Sequence, residues 1–122
     1  MKYYIGEFSK KVGVSIDTLR YYEKLGLIYP ERDSINKRIY SEKDISWINF
    51  IIRLKEINMP INQIQYYSEL RYQGDSTAEK RLELLEKQMN RLNAEKERIE
   101  ENIHHLNKKI DAYKQMLKDK DK

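Results

Sequence analysis

The run Thr18-Leu19-Arg20-Tyr21-Tyr22-Glu23-Lys24-Leu25-Gly26-Leu27 crowds an arginine, two tyrosines, a glutamate and a lysine onto one short amphipathic segment. With Ile16 and Leu19 turned toward a core, Asp17, Arg20, Tyr21 and Lys24 fall at i, i+3, i+4 and i+7 on the opposite helical face, with Thr18 beside them. That face offers a guanidinium, an ammonium, a phenol and a hydroxyl. Such groups donate hydrogen bonds to phosphate oxygens and to the edges of bases. The bland alternative is a solvated face on which Arg20 and Lys24 pair with Asp17 and Glu23 at helical spacing.

The elements around this segment favour the first reading. Ile5, Phe8 and Val12 keep helical spacing before it, Gly13 supplies a tight turn, and Ser15 stands as N-cap with Asp17 in the first turn. Two short helices joined by a turn containing glycine form a helix-turn-helix, whose second helix is the one that enters a major groove. The stretch "IYPERDSINKRIYS" follows, with strand-favouring Ile28-Tyr29 and Ile39-Tyr40 around turn residues. It predicts a two-stranded hairpin that carries Arg32, Lys37 and Arg38 at its tip, where a wing reaches an adjacent backbone.

Ser41 and Asp44 form a capping box for a third helix bearing Ile45, Ile48, Phe50, Ile51, Ile52, Leu54 and Ile57, the centre of the core. Asn58 suits a left-handed helix end, and Pro60 opens a fourth helix with Ile61, Ile64, Tyr67 and Leu70. Gly74 and Asp75 close it, and Ser76 with Glu79 reads as a further capping box. Beyond it, Leu82, Leu85, Met89, Leu92, Ile99, Ile103, Leu106, Ile110, Tyr113 and Leu117 step by three and four in strict alternation, with Lys96 filling the one polar slot. A helix of roughly 40 residues is about 60 Å long, more than one small domain covers, so a second chain is expected on this stripe. The heptads leave open whether that partner helix runs parallel or antiparallel.

Composition bounds the rest. Among 122 residues there are no cysteines and only two histidines, which leaves little from which to build a metal centre. Neither catalytic residues, a metal nor a cofactor is expected, because no nucleophile, base or metal constellation is present. The formal net charge of +4 leans toward an anionic partner. No apolar run approaches a membrane span, so the chain is expected to be soluble and cytoplasmic.

The stretches "IGEFSKKVGVSIDTLRYYEKLGLI" and "RIYSEKDI" resemble the DNA-binding half of the MerR family of bacterial transcription regulators, from Tyr4 to about Leu70. The resemblance implies a mainly α fold: a winged helix-turn-helix over 1–75, a dimerisation helix over 76–118 forming an antiparallel coiled coil, and a charged tail at 119–122. It further implies a homodimer on double-stranded promoter operator DNA that distorts an over-long spacer so that RNA polymerase engages both elements. By that likeness Ser15, Thr18, Arg20 and Tyr21 contact DNA from the second helix, and Arg38 and Tyr40 from the wing. Asn36-Lys37 stands where the family often has Gly-Tyr, a departure at the hairpin turn.

Residues 44–77 resemble most the branch that senses aldehydes or electrophiles through a cysteine, yet the aligned position here is Arg53. Thiol sensing therefore does not carry over, and a small-molecule effector would have to be recognised without covalent chemistry. Trp47, Phe50, Tyr66, Tyr67 and Tyr72 are the candidate lining of an effector pocket, set against ordinary core packing. Two alternatives stand beside the regulator: a coiled-coil module that binds only protein, and a constitutive architectural or repressor DNA-binding protein.

Overall fold

Ser15 caps the second helix as its sequence position predicts, its hydroxyl oxygen accepting from the Thr18 amide at 3.1 Å. In the computed structural model, which describes residues 1–121, a short strand β1 (Tyr3–Tyr4) leads into helix α1 (Ile5–Val12) and, through a turn, into α2 (Ile16–Lys24). Gly13 ends α1 at φ 67°, a left-handed conformation that costs glycine little, and Ser9 secures the turn by donating to the Val14 carbonyl at 2.6 Å. Gly26 ends α2 at φ 76°, and a Cβ there would lie 3.2 Å from the Tyr29 hydroxyl, so conformation and space both favour glycine.

The wing strands are β2 (Glu31–Arg32) and β3 (Arg38–Tyr40), antiparallel with Glu31 opposite Ile39 and Arg32 opposite Arg38. Two expectations are corrected here. The first wing strand is not Ile28-Tyr29, because Ile28 is buried in the core and the Tyr29 amide donates instead to the Tyr72 hydroxyl at 3.1 Å. The sheet also has a third strand: β1 pairs antiparallel with β3, Tyr3 opposite Tyr40, giving the order β1-β3-β2.

Helices α3 (Glu42–Glu56) and α4 (Ile61–Gln73) follow, α3 opening on the expected Ser41–Asp44 capping box. Asn58 between them adopts φ 60° as its residue type suggested, and Pro60 occupies the N-cap of α4. Phe8, Leu19, Leu27, Ile48, Ile51, Leu54 and Ile64 are fully buried, each burial contributing about 1.5–3 kcal/mol. Three side chains hold the turn after α2 against α3 and α4: Trp47 Nε1 and Ser68 Oγ both donate to the Leu27 carbonyl, at 2.8 and 2.6 Å, and Gln65 donates to the Leu25 carbonyl at 2.7 Å. That triple anchor fixes where α2 stands.

A 3-10 turn (Asp75–Thr77) leads into α5 (Ala78–Lys120). Ser76, expected as the N-cap, lies inside the 3-10 turn, and the Thr77 hydroxyl fastens that turn to the end of α4, within hydrogen-bonding distance of the Leu70 and Gly74 carbonyls at 2.6 and 2.8 Å. Two units result, one over Met1–Leu84 and the other made by α5 from Leu85 onward. The helix continues through Asp119 and Lys120 of the expected tail, and Lys122 lies outside the described residues. No described helix is long and apolar enough to cross a membrane.

Candidate nucleic-acid interface

Helix α2 buries Leu19 and Tyr22 and exposes Asp17, Arg20, Tyr21 and Lys24, the division its periodicity predicts. Tyr21 is 55% exposed although it is aromatic. Thr18 is half-buried, with its Oγ1 2.8 Å from that of Ser15, so the start of the helix is ordered by its own cap. Arg20 lies 3.9 Å from Asp17, with both side chains largely in solvent. Such a pair is worth little in water, and an incoming phosphate can take the guanidinium.

Glu23 does not take part in the pairing with Arg20 or Lys24 that a merely solvated face would show. Its carboxylate accepts from Arg38 Nε at 2.7 Å and from Arg32 Nη2 at 3.2 Å, so it is tied to the wing. That hydrogen bond from Arg38 raises the pKa of the guanidinium further, and Arg38 stays charged.

The wing tip is built on Asp33. One oxygen of its carboxylate accepts from the amides of Ile35 and Lys37, at 3.0 and 2.9 Å, in an Asx turn, and the other accepts from the Tyr4 hydroxyl at 2.8 Å. These bonds, led by the one from the Lys37 amide, hold the Asp33 carboxyl below its usual range. The Lys37 ammonium lies 5.5 Å from the centre of the Tyr4 ring. Asn36 takes φ 65°, so the sequence without the family's glycine still makes the turn, through a residue that tolerates the left-handed region.

Tyr40 is corrected as a DNA-contact candidate. It is 2% exposed, its ring stacks on Phe8 with centroids 4.1 Å apart, and its buried hydroxyl has no protein hydrogen-bond partner among the described residues. Sheet alternation turns it inward. Burial pushes its phenol up to about 12.

The aromatic set does not converge on one cavity. Trp47 stacks on Tyr67 at 5.6 Å and Phe50 closes the cluster at 5.7 Å from Tyr67, whereas Tyr66 is 44% exposed and Tyr72 meets Tyr29 edge-on at 4.8 Å. Of these five, only Tyr72 borders the groove of about 780 Å³ that also runs past Lys2, Tyr29, Glu42, Arg71 and Arg81. Packing against one another accounts for Trp47, Phe50 and Tyr67, and Tyr66 faces solvent. No cluster of three potential metal ligands occurs among the described residues.

Along α5, Leu82, Met89, Ile99, Ile103, Leu106, Ile110, Tyr113 and Leu117 are exposed and Leu85 and Leu92 half-buried, while Lys96 lies 4.0 Å from Glu100. Exposed apolar rows of this length are characteristic of interaction surfaces.

Sequence reasoning did not find Glu23, Arg32, Asp33 and Tyr4 as the parts that assemble the wing. Only Asp33 carried a local signal, as the residue opening a Ser-Ile-Asn turn.

This arrangement defines a winged helix-turn-helix domain followed by a long helix. The family model described as MerR HTH family regulatory protein matches residues 3–70, and the chain belongs to that family of transcriptional regulators. An uncharacterized HTH-type transcriptional regulator of Bacillus subtilis (strain 168), YyaN, is 32% identical over 96% of this chain and 94% of its own length. The HTH-type transcriptional regulator AdhR of the same strain is 38% identical over 72% of this chain and 64% of its own. Among solved structures, HiNmlR, described as a MerR family regulator lacking the sensor domain and bound to promoter DNA, aligns over 94% of this chain and 92% of its own with TM-score 0.74 and 30% identity. A MerR family regulator from Listeria monocytogenes aligns over 91% and 85% with TM-score 0.77 and 37% identity.

Proposed function

We propose that this chain acts as a homodimer on promoter DNA, with α2 in a major groove and the wing on the flanking backbone. One observation carries the reading: a second helix anchored at its far end by Trp47, Gln65 and Ser68 exposes Arg20, Tyr21 and Lys24 beside a wing bearing Lys37 and Arg38. The cations position the domain on phosphates, and Arg20 and Tyr21, with Thr18 and Asp17 at the helix start, reach base edges. The promoter-bound HiNmlR structure supports the same use of this chain. Spacer distortion that lets RNA polymerase engage both promoter elements is the mode of action proposed with it.

The exposed seam of α5 supports pairing with a second copy over about 76–118, and the resemblance to the family adds an antiparallel coil, which sets the spacing of two reading heads. The packing of Trp47, Phe50 and Tyr67 favours DNA binding that does not wait for an effector in that cluster. The test is recovery of bound sites from random duplex, with affinity followed against salt. Paired half-sites and a steep loss of affinity with ionic strength are expected, whereas a protein-only coiled-coil module would select no sequence and show no binding to lose.

A further inference from the structure

We propose that Glu23 is a positioning residue that locks α2 and the wing into one rigid reading head, an inference that rests on the DNA-binding reading above. Its carboxylate grips both strands of the hairpin, because Arg38 and Arg32, which it binds at 2.7 and 3.2 Å, stand opposite each other in the β2–β3 register. Arg32 carries the grip outward. Its Nη1 donates at 3.4 Å to the carbonyl of Asn36, the left-handed residue that shapes the tip. The side chains of Glu23, Arg38 and Arg32 keep 24%, 27% and 38% of their exposure, so these charge-assisted bonds are partly shielded from water.

Electrostatics alone argues against a glutamate at this place. A carboxylate bonded to Arg32 and Arg38 repels the phosphates that those cations would attract and neutralises part of the wing's charge. Geometry supplies the reason for it. A wing held before binding does not lose conformational freedom on the DNA, and only Nε of Arg38 is used by the carboxylate, which leaves its two terminal nitrogens for a phosphate.

The two accounts predict opposite outcomes for Glu23→Gln. Removal of a negative charge alone strengthens binding to every duplex. Loss of positioning leaves random-duplex affinity unchanged or raised while affinity for the selected operator falls about tenfold, so the ratio of the two collapses. Glu23→Asp keeps the charge and shortens the reach by one methylene, and it is expected to lose the same discrimination; it also serves if Glu23→Gln does not fold.

A second readout needs no DNA. The chain lacks cysteine, so Lys24→Cys and Ser34→Cys can be spin-labelled and diluted into unlabelled protein to measure the helix-to-tip distance. A narrow distribution that broadens in the Glu23 variants is expected. An unchanged operator-to-random ratio, or a distribution that stays narrow, overturns the clamp. Failure of the wild type to discriminate operator from random duplex sinks the DNA-binding reading instead, and the label distances then decide the clamp by themselves.

Discussion

Phe8 of α1 and Tyr40 of β3 stack face to face, their ring centroids 4.1 Å apart and their planes within 7°. The contact joins the first helix of the helix-turn-helix to the central strand of the sheet, so the wing is docked on the domain by aromatic packing. Tyr40→Phe keeps the stack and removes a buried hydroxyl with no partner among the described residues. It is expected to leave stability unchanged or raise it by up to about 1 kcal/mol. Operator affinity should be unaffected; a marked loss in a DNA titration would return Tyr40 to the contact surface.

The same phenol makes an alkaline prediction. Its pKa is pushed up to about 12 by burial, above the ordinary value near 10, so the folded state favours the protonated form. That contribution to stability is fully present below about pH 10 and disappears as pH rises toward 12. Thermal unfolding across this range should show a decline in the wild type that Tyr40→Phe reduces.

Arg20→Ala removes an exposed guanidinium whose only near partner among the described residues is Asp17 at 3.9 Å, so the fold should lose little. DNA affinity is expected to fall by about 1–3 kcal/mol. If Arg20 meets a phosphate, the slope of affinity against salt falls by about one; if it reads a base, discrimination at one operator position relaxes while the slope holds. Titrations at several salt concentrations separate the two, and wild-type affinity throughout would remove Arg20 from the interface.

Asp33 gives the wing an acid limit. Its folded pKa is lowered, first by the bond from the Lys37 amide, so the carboxylate stabilises the tip above the ordinary aspartate range and loses that effect as pH falls below it. The amide resonances of Ile35 and Lys37 should shift together on acidification. Asp33→Ala should loosen the tip already at neutral pH, and Ile35 and Lys37 amides that stay protected from exchange in that variant would contradict the assignment.

Replacing Leu92 and Ile99 by glutamate puts charge into the apolar row of α5, where Ile99 is 55% exposed in the single chain. The paired variant is expected to sediment as a monomer at micromolar concentration with its N-terminal fold intact, and to bind an operator with two half-sites poorly. A dimer that survives both changes would move the interface elsewhere.

The amino-acid sequence by itself determined the features whose physics is local: Gly13 and Ser15 around the helix turn, the split of α2 into a buried and a charged face, the Ser41–Asp44 cap, Asn58 at a left-handed helix end, and the three-four alternation along α5. Each rests on residues within a turn or two of one another, where backbone geometry alone dictates the pattern. Tertiary structure decided the pairings across longer stretches. Glu23 reaches Arg38 fifteen residues on, the Tyr3 hydroxyl reaches Glu42, and β1 joins a sheet that the wing hairpin alone would leave two-stranded. It also turned Tyr40 inward, because a tyrosine at a strand end suits solvent or core equally until the facing helix supplies Phe8.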